Sequence, residues 1–175
     1  MIVRRGARAV MGSDEHDSDR APLDEGPAGS DRKRQPPPEV SALWYSLRAR
    51  PWRTLALVAP GNAPRAWRLA QKFQLVEGER AQTLKLVNAL DANVGRVAAV
   101  AHALSPKKLE SAPERARFIL AADSPLENPV AIGLLSTCDA VLLLLERQRT
   151  RIPDAQRILE LIGPERFIGA VLVAG

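Results

Sequence analysis

The chain has 175 residues, 46% of them hydrophobic and 26% charged, which leaves room for one domain with a sizeable core. No apolar run approaches the roughly 18 to 20 residues that a membrane span needs, and the lone Cys138 excludes both an internal disulfide and a cysteine-based metal site. The net charge of +5 is not one block: residues 1–40 hold seven basic and eight acidic side chains, and the remaining basic residues are scattered without interleaved aromatics, which argues against a nucleic-acid partner.

Arg4, Arg5 and Arg8 make the N-terminus basic, but SDEHDSD follows where a signal peptide would carry its apolar core. A cytoplasmic protein is therefore expected, with the excess charge solvated or in contact with anionic lipid, peripheral at the inner membrane. Met11 is a second candidate start. Residues 1–39, rich in Asp, Arg, Gly, Ser and Pro and ending in RKRQPPPE, are predicted to be a disordered tail, because they cannot bury enough apolar surface to offset the entropy of ordering.

At Val40 the character changes. VSALWYSLRARPW places Leu43, Trp44 and Leu47 on one side of a short helix that Pro51 stops. Residues 40–52 are predicted to be an adaptor helix that packs on the domain or on a neighbour, with self-association through residues 41–52 as one use.

Residues 53–175 then alternate between two patterns. Strands are predicted at TLALVA (54–59), TLKLVNA (83–89), ARFILAA (116–122), AVLLLL (140–145) and FIGAVLV (167–173), with helices near 64–76, 92–104, 129–137 and 153–162. Asn128-Pro129 reads as a cap and first helical residue, and Gly163 ends the stripe Ala155, Ile158, Leu159 and Ile162. The alternation predicts an α/β fold: a single three-layer domain with a five-stranded, mostly parallel sheet.

In such sheets ligands bind beyond the carboxyl ends of the strands. The polar residues expected there are Gly61 and Asn62, Asn88 and Asp91, Asp123 and Ser124, and Glu146 and Arg147. A P-loop requires GxxxxGK[ST], in which glycines let amides face the phosphates, a Lys meets the outer phosphates and a hydroxyl meets magnesium. The turn here reads PGNAPRAW, with one glycine, no Lys and no Ser or Thr. Gly61, Asn62, Arg65 and Asp123 are thus the candidate residues of a degenerate nucleotide site, without a catalytic residue. Asp123 follows FILAA in the manner of a Walker-B acid, although an acid capping the turn before Pro125 reads the same way. His102 is expected to be exposed at the border of its helix stripe, Cys138 to be a small buried hydrophobe, and Trp44, Trp52 and Trp67 to be packing anchors.

NPVAIGLLSTCDAVLLLLERQRTRIPDAQRILELIGPERFIGAVLVAG resembles the last third of the P-loop domain of bacterial tyrosine kinases of capsule and exopolysaccharide biosynthesis, relatives of the partition and cell-division ATPases. The matching residues are Asp123, Pro125, Asp139 to Leu145, Thr150, Asp154, Ala155, Leu159, Glu160 and Gly169 to Leu172. Leu47-Arg48 is similar to the end of the helix through which those kinases associate. The resemblance covers roughly residues 41–175 and implies the fold and the exopolysaccharide context. Without the Walker-A Lys and hydroxyl, and without the C-terminal tyrosine cluster, it does not carry over kinase activity.

The expected function is therefore a non-catalytic interaction or regulatory protein, without cofactor or metal, beside a polysaccharide co-polymerase or other exopolysaccharide-assembly protein. The alternative is an ATP-binding tyrosine kinase or ATPase in which Arg65 replaces Lys, and Asp91 and Asp123 hold magnesium. A receiver-like domain would need an acidic pair after the first strand, and there is none.

Overall fold

The computed structural model describes residues 36–78, 83–113 and 115–174. Residues 1–35 of the tail expected to be disordered lie outside the described residues.

Five strands form one sheet: β1 (Thr54–Val58), β2 (Leu84–Ala89), β3 (Arg117–Ala122), β4 (Ala140–Glu146) and β5 (Phe167–Val173). Their order is β2-β3-β1-β4-β5 and every pairing is parallel, so the sheet expected to be mostly parallel is wholly so. Around it lie α1 (Pro38–Arg48), α2 (Ala63–Glu77), α3 (Val94–Ala103), α4 (Pro106–Glu110), α5 (Ala131–Leu135) and α6 (Ile152–Ile162).

The central strands are apolar except at their ends because both faces are covered. In β1, Leu55 and Leu57 join a cluster with Trp44, Leu47, Ala66, Ala70 and Phe73 of α1 and α2. Ala56 and Val58 point the other way, into a cluster with Val97 of α3, Leu134 of α5 and Ile158 of α6. The chain leaves β1 toward β2 over one face, then works back through β3 and β4 to β5 over the opposite face. Reversing direction and face together preserves one crossover hand.

Several element ends differ from the sequence expectation for local reasons. The first helix starts at Pro38, two residues before Val40, because prolines suit a helix start; it ends at Arg48, short of the expected residue 52. The helix expected at 92–104 starts only at Val94, since the Asn93 side chain caps it by accepting from the Arg96 amide. The one expected at 129–137 is the short α5, because Asn128 to Val130 form a turn first. Helix α4 was not expected at all; Arg53 holds its end, donating through Nη2 to the Leu109 carbonyl at 2.8 Å.

Helix α1 packs on the domain. Trp44 is fully buried, with its ring 5.1 Å from Phe73 and 6.1 Å from Trp52. Its Nε1 donates to the buried Glu77 carboxylate at 2.9 Å, and Arg48 pairs with the same carboxylate at 2.9 Å. Trp52 Nε1 donates to the Leu47 carbonyl at 2.7 Å, and the Arg117 guanidinium lies over the Trp52 ring at 4.5 Å. Trp44 and Trp52 are thus core residues, while Trp67 is half-buried and His102 is exposed.

At the amino ends of the strands, Asp139 joins β4 to β1. Its Oδ2 accepts from the backbone amides of Arg53 and Thr54 and from the Thr54 hydroxyl, at 2.8 to 2.9 Å. This residue of the CDAVLLLL run lies at the opposite end of the strands from the carboxyl rim.

Candidate functional site

The carboxyl end of β1 is the natural crevice of this sheet, because the connection leaving β1 passes to one face and those leaving its neighbours β3 and β4 pass to the other. The connection from β1 to α2 is only Ala59 to Asn62. Pro60 and Gly61 turn the chain, and Gly61 takes the left-handed φ of 73°, which a side chain would strain. The turn closes with the Asn62 amide donating to the Ala59 carbonyl at 3.1 Å.

The Gly61 and Asn62 donors of this turn meet acceptors from the same chain. The Gly61 amide donates to Glu127 Oε1 at 2.6 Å. The Asn62 side chain, placed to cap α2, instead donates through Nδ2 to Glu146 Oε2 at 3.0 Å. Arg65 extends the clamp, with Nη2 at 3.6 Å from Glu146 Oε1 and Nη1 donating to the Ala174 carbonyl just beyond β5.

Glu146 is the hub of this half of the rim. Its side chain is buried at the end of β4, and Arg149 approaches it at 3.8 Å. The Asn62 hydrogen bond holds its carboxyl below the usual carboxylate range; burial opposes that shift, while Arg65, Arg149 and Arg68 add to it. Its backbone is fixed as well: its amide donates to Thr150 Oγ1 at 2.9 Å, and its carbonyl accepts from the Arg149 and Thr150 amides.

Asp123 faces a different set of groups. It is buried, and its Oδ2 accepts from the Asp91 amide and from Asn128 Nδ2, both at 2.9 Å. Asn128 Nδ2 also reaches the Ala92 carbonyl at 3.1 Å, tying the loops after β2 and β3 together. Asp91 thus contributes its backbone N–H here while its side chain is exposed, on a residue with a left-handed φ of 53°. Among the described residues no group of three His, Cys, Asp or Glu side chains is placed to hold a metal ion. Asn88 turns into its own loop, accepting from the Leu90 amide at 3.1 Å.

Gly61, Asn62 and Arg65 therefore converge, and Asp123 and Asp91 form a second cluster. Sequence reasoning missed the bridging parts of Glu127 and Asn128; the only signal was a carboxylate and an amide just after a turn at a strand end. Comparison with protein-family models, with curated proteins and with solved structures finds no match. Chemically, the carboxylates of Glu127 and Glu146 engage the amide and the cation that a phosphate cradle would keep free.

Proposed function

We propose that the chain is a non-catalytic domain of P-loop NTPase-like fold, acting as an interaction or regulatory protein in bacterial exopolysaccharide or capsule biosynthesis or export. One arrangement supports the lack of catalysis: Glu127 and Glu146 take the donors of Gly61, Asn62 and Arg65. An entering phosphate would meet two carboxylates and would have to displace them. The turn is also too short to wrap a phosphate, and Pro60 and Pro64 carry no amide hydrogen. The pathway, and the polysaccharide co-polymerase as partner, rest on the resemblance of residues 128–175 to the kinase family.

Titration of the full chain with ATP and magnesium by calorimetry tests the non-catalytic reading. No heat of binding is expected up to millimolar nucleotide, and no phosphate release. Micromolar binding with turnover would overturn it and return the function to an ATPase or kinase with Arg65 in the Lys role. The partner is tested by co-purification with a co-polymerase encoded nearby; a chain that elutes alone would remove the pathway from the proposal.

A further inference from the structure

The loop between β4 and α6 carries Arg147, Arg149 and Arg151 at alternate positions, all of them exposed. Its backbone is held in place. The Arg147 amide donates to the Val173 carbonyl at 3.1 Å, the Arg149 and Thr150 amides donate to the Glu146 carbonyl, and Gln148 adopts a left-handed φ of 68° between them. Arg65 and the exposed Arg68, one turn apart at the start of α2, belong to the same end of the molecule, because Arg65 reaches both Glu146 and Ala174. Two of the carboxylates near this group are engaged, Glu146 being buried among the arginines and Glu127 accepting from Gly61, and a third, Asp154, is half-buried in the first turn of α6.

Two large aliphatic side chains stand beside these charges. Ile152, which follows Arg151 and opens α6, is 75% exposed, and Leu172 is 69% exposed. Leu172 is in register with Leu145, whose side chain packs on the α6 side of the sheet, so Leu172 lies on the face that α6 covers, and Ile152 is the first residue of that helix.

Water disfavours exposed Ile and Leu, and a nucleic-acid backbone would reward the guanidinium groups but not the aliphatics. The loop also lacks an aromatic on which a base could stack. An anionic bilayer suits both sets: guanidinium forks pair with headgroup phosphates, and aliphatic side chains enter the boundary between headgroups and acyl chains. We propose that the β4–α6 loop, with Ile152 and Leu172, is a docking surface for an anionic lipid bilayer. This surface goes beyond the function proposed above and does not depend on it, since a chain with no role in polysaccharide assembly would bind the same vesicles.

Flotation of the full chain with vesicles of phosphatidylcholine, alone or mixed with phosphatidylglycerol, tests the surface. Binding is expected on the mixed vesicles and not on the neutral ones. It should fade as salt shortens the screening length from about 10 Å at 0.1 M to about 3 Å at 1 M. The double variant Arg147→Gln/Arg151→Gln should bind ~30-fold more weakly, from roughly fivefold per guanidinium. Ile152→Ser/Leu172→Ser should also bind more weakly but keep the same salt dependence. All four positions are exposed, and unchanged circular dichroism checks that the variants fold. Equal binding to neutral vesicles, no binding to either, or full binding by the arginine variant would each overturn the proposal. Full vesicle binding by the Ile152/Leu172 variant, with a DNA duplex competing, would instead make this a polyanion surface with nucleic acid as the partner.

Discussion

At the scale of single residues, Glu146 sets the electrostatics of the rim. Its folded pKa lies below the unfolded value of about 4.3, so its contacts add stability that is fully present above that value and is lost as pH falls through the lowered folded pKa. Glu146→Gln should therefore flatten the acid limb of a plot of unfolding midpoint against pH, read as the difference between the two proteins below about pH 4. Superimposable acid limbs would deny Glu146 this part. Cys138 gives a second reading. Burial pushes its thiol up to about 12, with help from Asp139 and against Arg166. The thiol should react with a disulfide reagent only as fast as the chain unfolds, and at once in denaturant; rapid reaction in buffer would show an open site. Both residues were legible to different degrees. Cys138 could be placed from its apolar neighbours in IGLLSTCDA, whereas the bond of Glu127 to Gly61 spans 66 residues and that of Asn128 to Ala92 spans 36, and nothing local announces either.

Among the elements, α1 has the sharpest energetic consequence. Trp44 fills the space between α1, Trp52 and Phe73, so Trp44→Ala should cost about 3–5 kcal/mol in denaturant unfolding. Glu77→Ala should cost about 2 kcal/mol, because it leaves the buried Trp44 Nε1 without an acceptor and Arg48 without its partner. A change in Trp44→Ala within the range of ordinary surface substitutions, roughly half a kcal/mol, would mean that α1 is only loosely attached. The strands were legible because runs such as TLALV and AVLLLL have no polar face, which only a sheet covered on both sides tolerates. The helix ends were less so. Asn93 and Asn128 are both capping residues by type, yet Asn93 caps α3 directly while Asn128 accepts from the Val130 amide in the turn before α5 and donates through Nδ2 to Asp123 and Ala92. Tertiary partners decide the donor side of Asn128, and for Asn62 they leave α2 uncapped, its side chain reaching Glu146 instead.

For the molecule as a whole, no described helix is long and apolar enough to cross a bilayer. The strand order has a further effect, on the time course of synthesis. β1 pairs with β3 and β4, whereas β2, which leaves the ribosome first after β1, pairs only with β3. While β2 is being made, at about 5–20 residues per second, the apolar TLALV segment has no strand to bond. Its first neighbour is β3 and its second β4, so the centre of the sheet closes only when the last third of the chain appears. A fragment ending at Pro113 should then be protease-sensitive and lack strand signal in circular dichroism, and a protected fragment of that length would contradict this. A message truncated ahead of β3 would yield no persistent half-domain, only a nascent chain with a sticky segment that chaperones must shield and proteases can clear.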